Sequence, residues 1–265
     1  MYTLSKKQGR VTVLLYTVLL VLLCACGGNS SGSGFIPVST PAPYRPLIAV
    51  NICLDDTASY PPEFIQAIQH TLADRIDAMT QLNTGGMDVF VTVIAASSFQ
   101  NDVIAFSVPA IPALPVKPVP GSDPYKYAKA MSDYKKAIPG ALNQLKAMQA
   151  QVKVQTDKLR NLHFNGVAGG TDIFGCLADA SQHFSHITGN KLLLIASDLQ
   201  NNVTTQETNT LNLYGAPVRV VYRVCEVVSS CQANDAFWKQ TFLHHGASSV
   251  RFYDPAESQA EKVSI

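Results

Sequence analysis

From residue 46 onward, short runs of apolar residues alternate with stretches in which apolar residues recur every three or four positions. "PLIAVNICL" (46–54) is continuously apolar, the mark of a strand covered on both faces. The next stretch, "PPEFIQAIQHTLADRIDAM", places Phe64, Ile65, Ile68, Leu72, Ile76 and Met79 at helical spacing, behind a Pro pair that suits a first turn. "MDVFVTVIAA" (87–96) predicts a second strand, and "DVIAFSVPA" (102–110) a short third one, antiparallel and at an edge.

The texture changes at Pro109. "PAIPALPVKPVPGSDP" is too Pro-rich for a core element and predicts an extended surface segment. A helical segment follows from Tyr125 towards Leu162, with an interruption expected near Pro139 and Gly140. Its apolar stripe, Tyr127, Met131, Tyr134 and Ile138 and then Leu142, Leu145, Met148 and Val152, is expected to dock on the sheet or on itself. "VAGGTDIFGCLADASQHF" (167–184) then reads as a Gly-rich turn entering a helix. "KLLLIASDLQNN" (191–202) reads as a buried strand ending in an acid, and "APVRVVYRVCEV" (216–227) as another strand. "NDAFWKQTFLHHG" (234–246) predicts a helix ending at Gly246, with His244 and His245 suiting its last turn; "SSVRFYD" (248–254) is the final strand. This alternation implies crossover units and an α/β fold: a doubly wound, mostly parallel, Rossmann-like sheet.

Composition narrows the function. The chain has 265 residues, 47% of them hydrophobic, and a net charge of +1 without a basic block. Nucleic-acid binding therefore has no electrostatic basis, and no nucleotide-binding GxGxxG follows the first strand. Lys6, Lys7 and Arg10 precede the apolar run "VTVLLYTVLLVLLCA" (11–25), a segment of signal-peptide proportions. It ends in "LCAC" (23–26), which resembles the lipobox of bacterial lipoproteins, with Cys26 as the acylated residue; Cys24 is the poorer choice because Leu23 before it is too large. The resemblance implies export and lipid anchoring to a bacterial membrane at the cell envelope or surface, with residues 1–25 removed and 26–45 as a flexible Gly/Ser- and Pro-rich leash. Outside the cytoplasm a local disulfide between Cys225 and Cys231 is plausible chemistry. Cys53 and Cys176 read as inert thiols of the core, with a bridge between them left open.

The chemistry is concentrated where three segments reach one sheet edge. The first strand ends in Asp55-x-Thr57-x-Ser59, the Gly-rich loop carries Thr171 and Asp172, and the fourth strand ends in Ser197-Asp198. Carboxylates and hydroxyls without soft ligands suit a hard divalent cation. Here the chain resembles the von Willebrand factor A domains, whose metal-ion-dependent adhesion site reads Asp-x-Ser-x-Ser, a loop Thr and a later Asp. The matching positions are Asp55, Thr57, Ser59, Thr171 and Asp198, with Thr57 in place of the commoner Ser; "GGTDIFGCL" and "FLHHGASSVRFYD" are also similar to the family's segments. The resemblance spans about residues 46–256, with an insertion near 109–138. Two departures are Leu199, where many members have Gly, and the poorly helical stretch 203–214.

What the resemblance implies is a non-enzymatic module. It holds a divalent cation, Mg²⁺ first and Mn²⁺ or Ca²⁺ as alternatives, and binds a protein ligand whose carboxylate completes the shell. A metal-independent scaffold on the envelope is the rival. A Mg²⁺-dependent phosphoesterase is weaker still, because position 57 is Thr where an Asp-x-Asp acid is needed. No GxSxG stands at a strand-to-helix turn, as the elbow of a serine hydrolase requires.

Overall fold

The computed structural model describes residues 46–79, 86–110, 114–164, 166, 169–203, 210–224 and 228–260. The expected lipidation site Cys26, the leash and Cys225 lie outside these residues.

Six strands form the sheet: β1 (Pro46–Asp55), β2 (Gly86–Ile94), β3 (Asp102–Val108), β4 (Asn190–Ala196), β5 (Pro217–Val221) and β6 (Ser249–Phe252), in the order β3-β2-β1-β4-β5-β6. All neighbours pair in parallel except β2 and β3, so the antiparallel edge strand stands where the sequence puts it. The helices are α1 (Pro62–Met79), α2 (Pro124–Arg160), α3 (Ile173–Ser185), α4 (Val228–His244) and α5 (Pro255–Ala260). This is the doubly wound α/β architecture.

Strand alternation divides the core into two layers. Val50, Ile52 and Leu54 of β1 join Leu192 and Leu194 of β4 under α1 and the end of α2. Ala49 and Cys53, with Leu193 and Ile195, lie under α3 and α4, where Phe184, Trp238 and Phe242 fill the space. A buried polar contact lies in the second layer: Asn51 meets His183 Nδ1 at 2.7 Å, and the other ring nitrogen of His183 faces Asp102 at 2.9 Å.

Four local expectations change. Cys53 and Cys176 form a disulfide rather than standing as separate thiols, because β1 and α3 pack directly across this layer. Cys231 is disulfide-bonded as well, but within the first turn of α4, which begins six residues earlier than the sequence suggests. Helix α2 runs unbroken through Pro139 and Gly140; both are exposed there, so the carbonyl that the ring displaces can turn to water. Its stripe docks only at the end: Val152, Thr156 and Leu159 are its buried residues, with Arg160 reaching Asp74 and Asp77 of α1.

Candidate metal centre

In a doubly wound sheet the crevice opens outside the carboxyl ends of the strands, where the order reverses. Here β1 is followed on one side by β2 and on the other by β4, so the reversal lies between β1 and β4. Asp55 is the last residue of β1, and the register Leu54↔Ala196 sets it level with the chain leaving β4.

Past Asp55 the chain folds back on itself. The Thr57 amide donates to Asp55 Oδ1 at 3.1 Å, and the Tyr60 amide to the Thr57 carbonyl at 3.1 Å. This turn brings Thr57 Oγ1 and Ser59 Oγ to 3.2 Å of each other. Ser59 therefore pairs with Thr57, and α1 starts only at Pro62. Asp55 and Thr57 are buried, whereas Ser59 is exposed.

From β4, Ser197 Oγ donates to Asp55 Oδ2 at 2.5 Å and itself accepts from the Leu199 amide at 2.9 Å. Asp198 Oδ1 accepts from the Gln200 amide at 2.9 Å, which fixes the carboxylate beside that of Asp55. Leu199 has φ +59°, a left-handed conformation that Gly adopts without strain and that costs other residues roughly 1–2 kcal/mol. Here the Leu199 carbonyl is held by Asn234 Nδ2 at 3.1 Å and Trp238 Nε1 at 2.9 Å, both from α4.

Thr171 is braced from the same loop. Its amide donates to Asn202 Oδ1 at 2.7 Å, and the Ile173 amide to Asn201 Oδ1 at 2.9 Å. A Cβ on Gly170 would meet Val203 Cγ1 at 2.7 Å, so the close approach of the two loops requires glycine. Asp172 serves the helix: it caps α3 through the Gly175 amide at 2.8 Å and also accepts from the Ser98 amide at 3.1 Å.

The electrostatics follow from burial. Desolvation pushes the Asp55 carboxyl up to about 6, against the hydrogen bonds from Ser197 and Thr57, and the charge of Asp198 adds to the rise. Burial, then Asp55 and Asp198, also hold the Tyr60 phenol well above its ordinary value. A cation beside the buried Asp55 carboxylate would offset the hydration it has lost. Thr171 Oγ1 points to the same need: it is buried and has no hydrogen-bond partner. Among the described residues there is no cluster of three or more His, Cys, Asp or Glu, so any cation held here meets mainly hydroxyl and carboxylate oxygen. The residues present fit a hard divalent ion.

All five expected ligands thus lie on the loops at one end of β1 and β4. Thr57 and Ser59 touch directly, Asp55 and Asp198 interact by charge, and the Thr171 amide is held by Asn202, four residues past Asp198. Sequence reasoning missed the bracing by Ser197, Asn201, Asn202 and Tyr60. The run "SDLQNN" advertises polar groups beyond a buried strand, but only the fold shows which ones turn inward.

Compared with models of known protein families and with curated proteins, the sequence matches none. Among solved structures, it is similar to proximal thread matrix protein 1 from the mussel byssus, with 15% identity, TM-score 0.45, and 82% of this chain and 44% of that chain covered. A von Willebrand factor type A structure from Catenulispora acidiphila gives 12% identity, TM-score 0.44, and coverage of 82% and 41%. The mussel protein with a zinc-occupied MIDAS motif gives 11% identity, TM-score 0.43, and coverage of 82% and 46%. This chain spans less than half the length of each.

Proposed function

We propose that residues 46–256 form a von Willebrand factor A-type binding module. In this reading Asp55, Thr57, Ser59, Thr171 and Asp198 hold a divalent cation, Mg²⁺ first, and a carboxylate from a partner protein caps it. A bound dication supplies a strong, directional attraction for that carboxylate. This chain's part is to supply five oxygens, from two acids and three hydroxyls, which leave a place in a six-fold shell for an outside carboxylate. In this reading the module acts by binding. The lipobox at residues 23–26 supports a role in adhesion or complex assembly at a bacterial envelope, tethered through Cys26.

The observation that carries the reading is the buried, unpartnered Thr171 hydroxyl on a loop braced against the Asp198 segment. The test is thermal unfolding of the full chain in detergent, in EDTA and then with millimolar Mg²⁺, Mn²⁺ or Ca²⁺. An ion at about 100 times its dissociation constant adds roughly 2.7 kcal/mol to stability. The expected result is a rise in midpoint that Asp55→Ala removes. Indifference to every ion would favour the metal-independent scaffold, for which Asp55 is a structural acceptor of the Ser197 and Thr57 hydrogen bonds.

A further inference from the structure

The sheet has two ends, and the metal centre occupies only one of them. The pairings Pro46↔Gly86 and Met87↔Val108 put the start of β1, the start of β2 and the end of β3 together at the opposite end. Asp55 closes β1 about 30 Å away, at 3.3 Å per residue.

Helix α2 leaves the domain by that opposite end. It runs antiparallel to α1: Thr156 meets Asp77, Arg160 meets Asp74 and Asp77, and the Leu162 carbonyl accepts from Gln69. Because α1 stops at Met79, the part of α2 before Val152 extends past it. That part, residues 124–151, has no buried residue and measures about 42 Å at 1.5 Å per residue. The connection from Val108 to Pro124 carries Pro109, Pro112, Pro115 and Pro118 at every third position, and polyproline-type chain advances about 3.1 Å per residue, enough to match. Together the two strokes make an arm, residues 109–151.

Three observations say what the arm meets. Residues 114–151 carry six Lys against Asp123 and Asp133, net +4 in a chain whose total is +1, so the remainder is −3. Among the described residues, only Lys126 of the six has an ion pair, with Asp123. The arm has no Arg, the residue that shaped, bidentate recognition favours; point charges on flexible stems suit a fluid surface of phosphates. Next, Val116, Val119 and Tyr125 are 87%, 82% and 81% exposed, the highest values among the large apolar side chains described, and they flank the turn at the arm's tip. Apolar and Tyr side chains beside Lys are the composition of a membrane interface. Finally, the chain enters β1 at Pro46, the end from which the arm departs. Cys26 lies 20 residues earlier, a reach of at most about 70 Å, which covers the length of the arm.

We propose that residues 109–151 form an arm whose outer half rests on an anionic lipid surface, so that the metal centre at the far end of the sheet faces away from the bilayer. The placement rests on the lipid anchoring in the proposed function; the attraction to anionic lipid does not.

The test adds the full chain from detergent to preformed vesicles of phosphatidylcholine, alone or mixed with phosphatidylglycerol at roughly 2:1. Acetylation by an N-hydroxysuccinimide ester, read by mass spectrometry, reports each Lys separately. Lys126, Lys129 and Lys135 are expected to react several-fold more slowly on the anionic vesicles, with the difference lost in molar salt, and Lys239 on the body to react equally on both. Equal rates at the arm, or slowing of Lys239 to the same degree, overturn the arm whatever the anchor does. Flotation with pure phosphatidylcholine in molar salt reads the anchor alone, and failure to float overturns the anchor. In that case phosphatidylglycerol at low salt should restore flotation of the parent. The exposed substitutions Lys126→Gln, Lys129→Gln, Lys135→Gln and Lys136→Gln together should weaken it at least about tenfold, since each Lys at such a surface contributes roughly fivefold. No restoration, or no effect of the four substitutions, overturns the arm as well.

Discussion

At the scale of single residues, Thr171 and Asp55 make opposite demands on the site. Thr171 Oγ1 has no protein partner, so Thr171→Val keeps shape and removes only an oxygen that the metal-free fold does not use. Its expected outcome is a midpoint in EDTA equal to or above that of the parent, and no rise with Mg²⁺, read by thermal unfolding. Asp55 adds a pH dependence. Its carboxyl is protonated more readily folded than unfolded, rising from 3.8 to about 6. Without metal, then, the folded chain is favoured below about 4, and that advantage, roughly 3 kcal/mol at most, is lost as pH rises through 6. A cation needs the ionised form, so metal-induced stabilisation should run the other way, appearing as pH rises through 6. Urea unfolding between pH 4.5 and 7.5, with EDTA or Mg²⁺, checks both slopes. Parallel slopes would show that Asp55 is not a metal ligand.

At the scale of elements, α2 departs furthest from its local code. Its 37 residues make a rod about 55 Å long at 1.5 Å per residue, with buried positions only near its end. The Pro139-Gly140 pair reads as a break because Pro removes an intrahelical hydrogen bond and Gly loses backbone entropy. Both lie on exposed helix, where the cost is borne without disturbing a packed face. Gly140→Ala meets nothing within 4 Å of the new methyl group. It should therefore stabilise the chain by about 0.5–1 kcal/mol if α2 is continuous, and leave stability unchanged or lower it if the helix ends there. Circular dichroism at 222 nm through urea unfolding reads the difference. The glycine of the site behaves differently: at Gly170 the added Cβ has Val203 in its way, so the same substitution there should weaken metal binding.

At the scale of the whole molecule, the Cys53–Cys176 bridge ties together two of the three segments that carry the site. Cys53 stands two residues before Asp55, and Cys176 five residues after Thr171. The cross-link spans a sequence separation of 123, for which loss of chain entropy in the unfolded state gives roughly 4–5 kcal/mol. The pair Cys53→Ala and Cys176→Ala should lower the urea midpoint accordingly. It should also raise the concentration of Mg²⁺ needed for half-maximal stabilisation, since Asp55 and Thr171 are then held together by packing alone. A change in stability without a change in that concentration would mean that the bridge serves the fold only.

The periodicity of apolar residues by itself determined the doubly wound sheet, the antiparallel edge of β3 and the sheet end at which the oxygens gather. These follow from local rules: two-sided burial gives continuous apolar strands, and parallel neighbours require helical crossovers. The order of Asp55, Thr57, Ser59, Thr171 and Asp198 along the chain was legible for the same reason, as each follows or precedes an element with a clear signal. Only the tertiary structure decided that Cys53 and Cys176 meet, and that Ser197 and Asn202 brace the acids and the loop. Those residues stand tens of positions apart, and no local spacing encodes the distance between side chains that belong to different strands and helices.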